Sequence, residues 1–464
     1  MSRLSFTNLP VAPEVDPHAL SVGMVHLGIG AFHRAHQAVV TERAAVATGD
    51  TRWGITGVSQ RSATVRDQLA PQDGLYSVLE RGLAEPSIQV IGSIRDVLTA
   101  PDDPEAVVAR IADPAVSVVT LTVTEKGYRA AGTGLDLNDP EIQADLAGRP
   151  PRTVVGQLAA AIARRPEPLT IVSCDNLVAN GPFLRKLVGE YFEALGKVPE
   201  VFEATRFPAS MVDRIVPATT EADRAEAARL LGVRDEAVVV AEPFLQWVIE
   251  DDFAGARPAW ERGGAVLTRD VAPWEQAKLR MLNASHSMLA YLGALRGYET
   301  IAEAVRDEEL ARLAQQLMTD DVVPTLSPPD GLDLAAYGET VLERFANPAL
   351  KHRTRQVAMD GSVKLPVRML GTVRDRLTAG AEPRTITLAV AAWMVYVRQT
   401  PDLDDPQAPR LKSAIANLPT TSPPPAALVD ALLAVDSVFT PDLRDSTVFR
   451  DLLVDHVAAL TTHP

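Results

Sequence analysis

The stretch MVHLGIGAFHRAHQ, residues 24–37, is an apolar run that ends in two glycines and continues into a helix-like segment. A strand, a glycine turn and a helix in this order direct backbone N–H groups and the positive end of the helix toward a bound pyrophosphate. We therefore predict a dinucleotide site at this turn, formed by Gly28, Ile29, Gly30, Ala31, Phe32 and Arg34. His33 replaces the third glycine of the usual G-x-G-x-x-G pattern, so the residues alone also allow a tight turn without a ligand.

The segments on either side of this turn alternate between strand and helix patterns up to about residue 270. Further strands are predicted at 53–59, 76–80, 88–94, 116–123, 169–174, 238–240 and 265–267. Helices are predicted between them at 34–48, 154–164 and 181–195. Such alternation is typical of βαβ units and a mostly parallel sheet.

After residue 270 strand patterns are nearly absent, and the apolar spacing changes to that of helices. These helices are predicted at 274–295, 301–318, 334–345, 367–377, 385–398 and 426–435. The predicted fold class is α/β, with a Rossmann-type doubly wound sheet followed by a mainly α-helical domain. We place the dinucleotide-binding domain in residues 1–270 and a helical substrate-binding and catalytic domain in residues 271–464.

Composition excludes several classes of function. The net charge of −15 disfavours nucleic acid as a partner, because a field of that sign repels phosphate polymers. The single cysteine, Cys174, excludes a multi-cysteine zinc site. No apolar run is long enough to span a membrane and the N-terminus lacks a secretory pattern, so a cytoplasmic protein is expected.

Two features near the glycine turn leave alternatives open. His33 and His36 are three residues apart on the predicted helix, which allows a metal site, although no acidic partner is evident and polar residues at the helix start are the simpler interpretation. The second strand is followed by Arg61 and by no carboxylate before Asp67. NAD is the expected cofactor, and NADP stays open because Arg61 could face a 2′-phosphate.

Polar residues leave the ends of two later strands, where doubly wound sheets bind ligands. Thr124 and Glu125 lie in TVTEKGY, residues 122–128, and are assigned to the cofactor site. Asp175 and Asn176 lie in SCDNLVANG, residues 173–181. Asn176 could hydrogen-bond a developing alkoxide, whereas Asp175 could merely cap the next helix. For TVTEKGY an ordinary strand-to-loop exit is an equally good explanation.

The segment EQAKLRMLNASH, residues 275–286, carries the most informative helix face. On a regular α-helix His286 lies about 80° and Asn283 about 140° from Lys278. A desolvated lysine can accept the proton of an alcohol, an asparagine can bind the oxygen, and a histidine can orient either group. The alternative is a partly solvated helix face with a buried histidine.

Basic residues cluster in NPALKHR, residues 347–353, and DGSVKLP, residues 360–366. Lys351, His352, Arg353 and Lys364 would suit a substrate carboxylate. A surface basic patch on an acidic protein explains the same spacing.

Taken together, GIGAFHRAHQ, TVTEKGY, SCDNLVANG, MVDRIVPATT and KLRMLNASH resemble the mannitol dehydrogenase family of polyol-specific long-chain dehydrogenases. The resemblance implies a Rossmann domain, a helical domain, a cleft between them and no metal. It also implies that Lys278 is the catalytic base, that Asn176 and Asn283 steady the substrate oxygen, and that His286 lies nearby. Asp213, in MVDRI, and Glu275 match further active-site positions, so Asp213 joins Lys364, His352 and Arg353 as a predicted substrate-binding residue.

Within the family, NPALKHRTRQ followed by DGSVKLP is more similar to fructuronate reductases, which are D-mannonate oxidoreductases. The expected activity is hydride transfer at C2 between a 2-keto sugar acid and its aldonate, with NAD or NADP. The alternative is a mannitol or arabinitol 2-dehydrogenase acting on neutral polyols, and a nucleotide sensor without catalysis is a further class. The only partner expected is the small-molecule substrate, with a monomer or weak oligomer.

Overall fold

The computed structural model describes residues 1–350, 352–419 and 423–462. The chain divides into two compact units, Met1–Ala272 (unit 1) and Pro273–Pro464 (unit 2). The strands of unit 1 are β1 (Val22–Leu27), β2 (Gly54–Ser59), β3 (Tyr76–Glu80), β4 (Ser87–Ile91), β5 (Ile94–Thr99), β6 (Val118–Leu121), β7 (Ala130–Ala131), β8 (Gly134–Leu135), β9 (Thr170–Ser173), β10 (Ser210–Asp213), β11 (Val239–Ala241), β12 (Gln246–Glu250) and β13 (Val266–Thr268).

The first α-helices alternate with these strands. They are α1 (Ala31–Ala35), α2 (Gln37–Thr48), α3 (Thr64–Leu69), α4 (Pro104–Ala112), α5 (Pro140–Leu146), α6 (Val154–Ala163), α7 (Asn180–Ala194), α8 (Glu200–Ala204) and α9 (Glu221–Leu231).

The central sheet of unit 1 is parallel, with the strand order β5-β2-β1-β6-β9. The chain begins in the middle and builds outward on both sides, so β1 lies at the point where the strand order reverses. In such sheets, ligands bind beyond the carboxyl ends of the strands at this point. The expected Rossmann-type sheet is confirmed, and it places the glycine turn after β1 at that edge.

Apolar side chains alternate between the two faces of the sheet. Val25 of β1 packs into a core with helices α4, α6 and α7, and Met24 packs into a second core with α2, Trp247 and Trp260. The second core is closed by two smaller sheets, ordered β11-β3-β4 and β10-β12-β13. Both faces of the sheet are therefore covered, which explains why its strands are almost continuously apolar.

Two predicted elements of unit 1 are corrected by the structure. Residues 88–94 are not one strand: β4 ends at Ile91 in a small sheet, and Ile94 begins β5, the edge of the central sheet. The predicted helix 34–48 is interrupted at His36, whose φ of −128° and ψ of −87° are not helical. The strands β10 and β12 were not predicted, because they are short and have a mixed pattern.

Unit 2 is built from helices. They are α10 (Ala272–Ala277, which begins at the boundary), α11 (Ala284–Leu295), α12 (Ile301–Arg306), α13 (Glu308–Gln316), α14 (Leu334–Phe345), α15 (Thr354–Val357), α16 (Gly361–Leu365), α17 (Gly371–Thr378), α18 (Arg384–Gln399), α19 (Ala408–Ile415), α20 (Pro425–Leu433), α21 (Pro441–Arg444) and α22 (Thr447–Thr462). Its described helices include none long and apolar enough to cross a membrane, and the same holds for unit 1.

Three predicted helices of unit 2 are divided, and the one expected at 367–377 consists of a π-helix followed by α17. The helix expected at 301–318 is broken at Asp307, whose carboxylate accepts hydrogen bonds from the backbone N–H groups of Glu309 and Leu310 and so caps α13. The helix expected at 274–295 consists of α10, a π-helix over Lys278–Asn283, and α11. Further π-helices lie at Leu317–Val322 and Pro366–Leu370.

Candidate active site

The glycine turn after β1 is held by backbone and side-chain hydrogen bonds. Gly28 adopts a φ of +95°, and a Cβ atom there would lie 2.2 Å from the carbonyl oxygen of Thr122. Its own carbonyl oxygen accepts hydrogen bonds from Gly30 N at 2.6 Å and from Thr122 Oγ1 at 2.8 Å. Gly28 is therefore required by the fold itself, because both the conformation and the close approach exclude a side chain.

Gly30 is different, because the fold does not require a glycine there. Its φ of −81° and ψ of −174° suit any residue, and a Cβ atom would meet only the Gly28 carbonyl oxygen, at 3.8 Å. Gly30 is exposed immediately before α1. A bare backbone at this position leaves room for a pyrophosphate to approach the N–H groups of the turn, so the residues present fit a dinucleotide.

His26 connects this turn to the end of β6. Its Nδ1 lies 2.7 Å from Thr120 Oγ1, and its Nε2 lies 2.8 Å from Thr122 Oγ1. Since the Thr122 hydroxyl donates to Gly28, its oxygen accepts from Nε2–H, and Nδ1 accepts from Thr120. Burial lowers the pKa of His26 to about 3, so the ring is neutral and carries its proton on Nε2.

The other histidines of the motif have separate neighbours. The His33 ring stacks on His26 with 3.4 Å between the ring centroids, whereas His36 Nε2 lies 3.0 Å from the carbonyl oxygen of Gln246. Burial holds the pKa of His33 well below its ordinary value. Across the described residues of both units, no group of three or more His, Cys, Asp or Glu side chains is placed to hold a metal ion.

Arg34 supports the turn from inside the protein. The side chain is almost fully buried; Nε donates to the carbonyl oxygen of Gly30 at 3.3 Å and Nη1 to that of Ala237 at 2.5 Å. Its guanidinium also lies over the ring of Tyr76. Arg34 therefore positions the backbone of the turn, and a direct contact with a phosphate stays a prediction.

Asp175 ties together the two loops that follow β6 and β9. Its carboxylate accepts hydrogen bonds from Val123 N at 3.0 Å, from Thr124 N at 2.8 Å and from the Tyr128 hydroxyl at 2.7 Å. Burial raises the pKa of Asp175. The suggestion that Asp175 caps the next helix is wrong, because α7 begins at Asn180 without a side-chain cap.

The loop after β6 carries backbone strain at a predicted cofactor residue. Thr124 adopts a φ of +65° and a ψ of 162°, which is rare for a β-branched residue, and its N–H is held by Asp175. Thr124 and Glu125 are exposed at the carboxyl edge of the sheet. Strain of this kind concentrates at functional sites, where the surrounding structure enforces it.

The remaining predicted residues of unit 1 lie at the same edge. Asn176 directly follows Asp175 and is exposed, and Asp213 is the buried last residue of β10. β10 is anchored beside β9 because Ser210 Oγ donates to the carbonyl oxygen of Ser173 at 2.6 Å, and Asn180 bonds both backbone groups of Ser210. The anchoring roles of Ser210 and Asn180 were not predicted, because they depend on contacts between residues distant in sequence.

In unit 2, Lys278 and Asn283 are the first and last residues of a π-helix, and both are half-buried. A π-helix bonds each N–H five residues back, so successive residues rotate less about the axis than in an α-helix. Asn283 therefore lies about one turn from Lys278 instead of about 140° around the helix. The angle of about 140° predicted for a regular α-helix is therefore corrected, and the two side chains are closer to one face than expected.

His286, on the first turn of α11, stacks on Phe345 with ring centroids 4.8 Å apart, and the His352 ring is 5.6 Å away. Its Nε2 is buried and has no hydrogen-bond partner among the described residues. The pKa of His286 lies well below its ordinary value, first because of burial and then because of four basic neighbours: His352, Arg368, Arg344 and Lys364. The ring is therefore neutral in a strongly cationic environment.

The structure brings the predicted basic residues Lys364 and His352 to His286 and leaves Arg353 outside this group. Lys364 donates to the carbonyl oxygens of Met359 at 2.6 Å and Val357 at 3.3 Å, and burial lowers its pKa. Arg353 is exposed just before α15 and is not among the charged groups that act on His286. Lys351 lies outside the described residues.

Arg344 and Arg368 were missed in the sequence analysis. Arg368 Nη1 donates to Ser287 Oγ at 3.0 Å and to the carbonyl oxygen of Asn283 at 3.4 Å. Arg368 follows Lys364 by four residues, a spacing that places side chains on one helix face. This spacing is the sequence signal that could have found it, whereas the last turn of α14 offers none for Arg344.

Two family models cover most of the chain. The mannitol dehydrogenase Rossmann domain matches residues 22–262, and the mannitol dehydrogenase C-terminal domain matches residues 270–461. The D-mannonate oxidoreductase of Escherichia coli strain K12 is 41% identical over 97% of this chain and 95% of that protein.

Solved structures are similar over the full length. A D-sorbitol dehydrogenase in substrate-free form superimposes with a TM-score of 0.89 and 33% identity, covering 100% of this chain and 98% of that chain. Mannitol 2-dehydrogenase of Pseudomonas fluorescens, solved as a ternary complex with NAD and D-mannitol, gives a TM-score of 0.82 and 34% identity, covering 99% of this chain and 97% of that chain. With both family models matched in order and these relatives matched end to end, the chain belongs to the mannitol dehydrogenase family of oxidoreductases.

Proposed function

We propose that this oxidoreductase interconverts a 2-keto sugar acid and its aldonate, of the D-fructuronate and D-mannonate type, with NAD as the cofactor. In this proposal residues 1–270 bind the dinucleotide, and residues 271–464 provide the base and the substrate contacts. The observation that favours an acidic substrate is the group of basic side chains around His286, which a neutral polyol would leave without a counter-charge. The 41% identity to a D-mannonate oxidoreductase supports the same choice.

NAD supplies the hydride acceptor in the oxidative direction. Lys278 takes the proton of the C2 hydroxyl as the C2 hydrogen leaves with its electron pair, and in reduction the same amine returns the proton. Asn176 and Asn283 hydrogen-bond the oxygen as charge develops on it. The neutral His286 accepts or donates a hydrogen bond to orient the lysine or a substrate hydroxyl, and Asp213 contacts the substrate.

The base is tested with Lys278→Ala. We expect a loss of turnover of at least about 100-fold with little change in NADH affinity, because general base catalysis contributes roughly that much. Lys197→Ala removes an exposed lysine of unit 1 and serves as the matched control. Near-wild-type turnover of Lys278→Ala would refute the assignment.

A neutral polyol substrate is the second candidate, and the similarity to a mannitol 2-dehydrogenase and a D-sorbitol dehydrogenase favours it. Initial rates with D-mannonate, D-mannitol, D-sorbitol and D-arabinitol, each with NAD⁺ and with NADP⁺, separate the candidates. A preference for D-mannonate with NAD⁺ supports the proposal, and a preference for any neutral polyol contradicts it. A cytoplasmic location and a monomer or weak oligomer stay predictions.

A further inference from the structure

Arg368 is a half-buried arginine that forms no salt bridge with the described residues, and the carboxylate of Asp360 acts on it only from a greater distance. Within residues 1–350, 352–419 and 423–462, no carboxylate oxygen lies within 4.0 Å of its guanidinium, although other arginines of unit 2 are paired, such as Arg296 with Asp307 and Glu309 and Arg374 with Asp442. Placing a guanidinium in a partly desolvated position without an anion is unfavourable. The fold pays this cost next to His286 and Lys364, where further positive charge lies.

The hydrogen bonds of Arg368 leave one edge of its guanidinium available. Both protein contacts use Nη1, which donates to Ser287 Oγ and to the carbonyl oxygen of Asn283. These contacts orient the group against the end of the π-helix that contains Lys278. Nε and Nη2 form the other edge and have no partner among the described residues. Two parallel N–H donors on one edge are the arrangement that binds a carboxylate in a bidentate manner.

We propose that Arg368 binds the terminal carboxylate of the substrate through Nε and Nη2 and so makes the enzyme specific for a sugar acid over the corresponding polyol. This inference rests on the proposed function and adds the residue that decides the substrate class. Lys364 contributes positive charge nearby but is committed to the carbonyl oxygens of Met359 and Val357, and burial lowers the pKa of His352 below its ordinary value. Arg368 therefore presents a fork of donors that no described residue uses.

The proposal is tested with Arg368→Gln and Arg368→Lys, using D-mannonate and D-mannitol as the two substrates. Arg368→Gln removes both the charge and the fork, and we expect kcat/KM for D-mannonate to fall about 10- to 100-fold, mostly through KM. For D-mannitol we expect kcat/KM to stay within about threefold or to rise, because no carboxylate contact is lost. Arg368→Lys keeps the charge without the fork, so its loss on D-mannonate is expected to be intermediate.

Arg374 follows Arg368 by a few residues and is paired with Asp442 and Thr440. Arg374→Gln is therefore the matched control. An equal loss on both substrates in Arg368→Gln would overturn the proposal, because it would show that Arg368 acts only through Asn283. If Arg368→Gln fails to fold, as judged by its thermal unfolding, the ratio of the two rates in Arg368→Lys decides.

The wild-type rates keep this result separate from the proposed function. If the wild type oxidises D-mannitol and not D-mannonate, the carboxylate role is refuted while the dehydrogenase assignment stands. If neither D-mannonate nor any polyol is oxidised, the proposed function and this inference are both contradicted. If D-mannonate is oxidised and both Arg368 variants match the wild type, only the inference on Arg368 fails.

Discussion

The Thr122 hydroxyl donates a hydrogen bond of 2.8 Å to the carbonyl oxygen of Gly28 and thereby joins the end of β6 to the glycine turn after β1. His26 supports this contact by donating to Thr122 Oγ1. The two loops that flank the reversal point of the sheet therefore hold each other in place, and the Thr122 hydroxyl is one of the side-chain contacts that orient the turn.

Thr122→Val is expected to weaken NADH binding about threefold to tenfold, since one hydrogen bond contributes roughly 1 kcal/mol and its loss leaves Gly28 less constrained. The measurement is the NADH dissociation constant from fluorescence titration. Thr122→Ser keeps the hydroxyl and should have the dissociation constant of the wild type. Thr56→Val makes the same change on β2, at a buried hydroxyl without a hydrogen-bond partner among the described residues, and should leave NADH binding unchanged. Equal effects of the two valine variants would show that Thr122 has no particular role in the turn.

Gly28→Ala and Gly30→Ala should behave in opposite ways. Gly28→Ala places a Cβ atom 2.2 Å from a backbone oxygen at a φ of +95°, so we expect a marked fall in Tm or a failure to fold. Gly30→Ala meets nothing closer than 3.8 Å, so its Tm should stay near that of the wild type while NADH binding weakens at least about tenfold. Normal NADH affinity in Gly30→Ala would show that no ligand approaches this position.

Glu42 should make the protein less stable as the pH rises toward neutrality. Its carboxylate accepts hydrogen bonds from Gly92 N and Ser93 N, but burial dominates and raises its pKa from 4.5 to about 7. The native state therefore binds a proton that the unfolded state has released, so the stabilisation is complete below about pH 4.5 and is lost as the pH rises through about 7.

Between pH 5 and pH 8 the ionisation of Glu42 is expected to lower the free energy of unfolding of the wild type by roughly 2–3 kcal/mol. Glu42→Gln should not show this decrease. Chemical denaturation at several pH values measures the difference between variant and wild type, which cancels the contributions of other groups. Glu339→Gln changes an exposed glutamate of α14 and should keep the wild-type pH dependence. If the free energy of unfolding depends on pH in the same way in Glu42→Gln and in the wild type, the raised pKa of Glu42 is contradicted.

His286 should remain uncharged throughout the physiological pH range. Its pKa is lowered by burial and by His352, Arg368, Arg344 and Lys364, and each of these effects opposes a positive charge on the ring. NMR of histidine-labelled protein should therefore show a His286 signal that keeps neutral chemical shifts between pH 6 and pH 8, identified by its absence in His286→Gln. A midpoint for this signal near pH 6.5 would contradict the burial seen in the structure.

The sequence was informative where structure depends on neighbours along the chain. The apolar run before Gly28, the glycines after it and the alternation of strand and helix predicted the parallel sheet. The 3.6-residue spacing after residue 270 predicted most of the longer helices of unit 2, but not α19 or α22. Such signals are local, because backbone geometry and apolar periodicity are set within one or two turns of an element. The resemblance of the motif KLRMLNASH to the family likewise predicted Lys278, Asn283 and His286 as site residues, and these roles stay predictions.

Tertiary packing decided what local patterns do not encode. Whether residues 278–283 form an α-helix or a π-helix depends on what packs against them, because a π-helix has poor local propensity and is retained by its surroundings. The hydrogen bond between His26 and Thr120, the link from Asp175 to Thr124 and the contact of Arg368 with Asn283 join residues far apart in sequence. Those contacts set charge and hydrogen bonding at the candidate site, and burial and neighbouring charges exist only once the chain has folded.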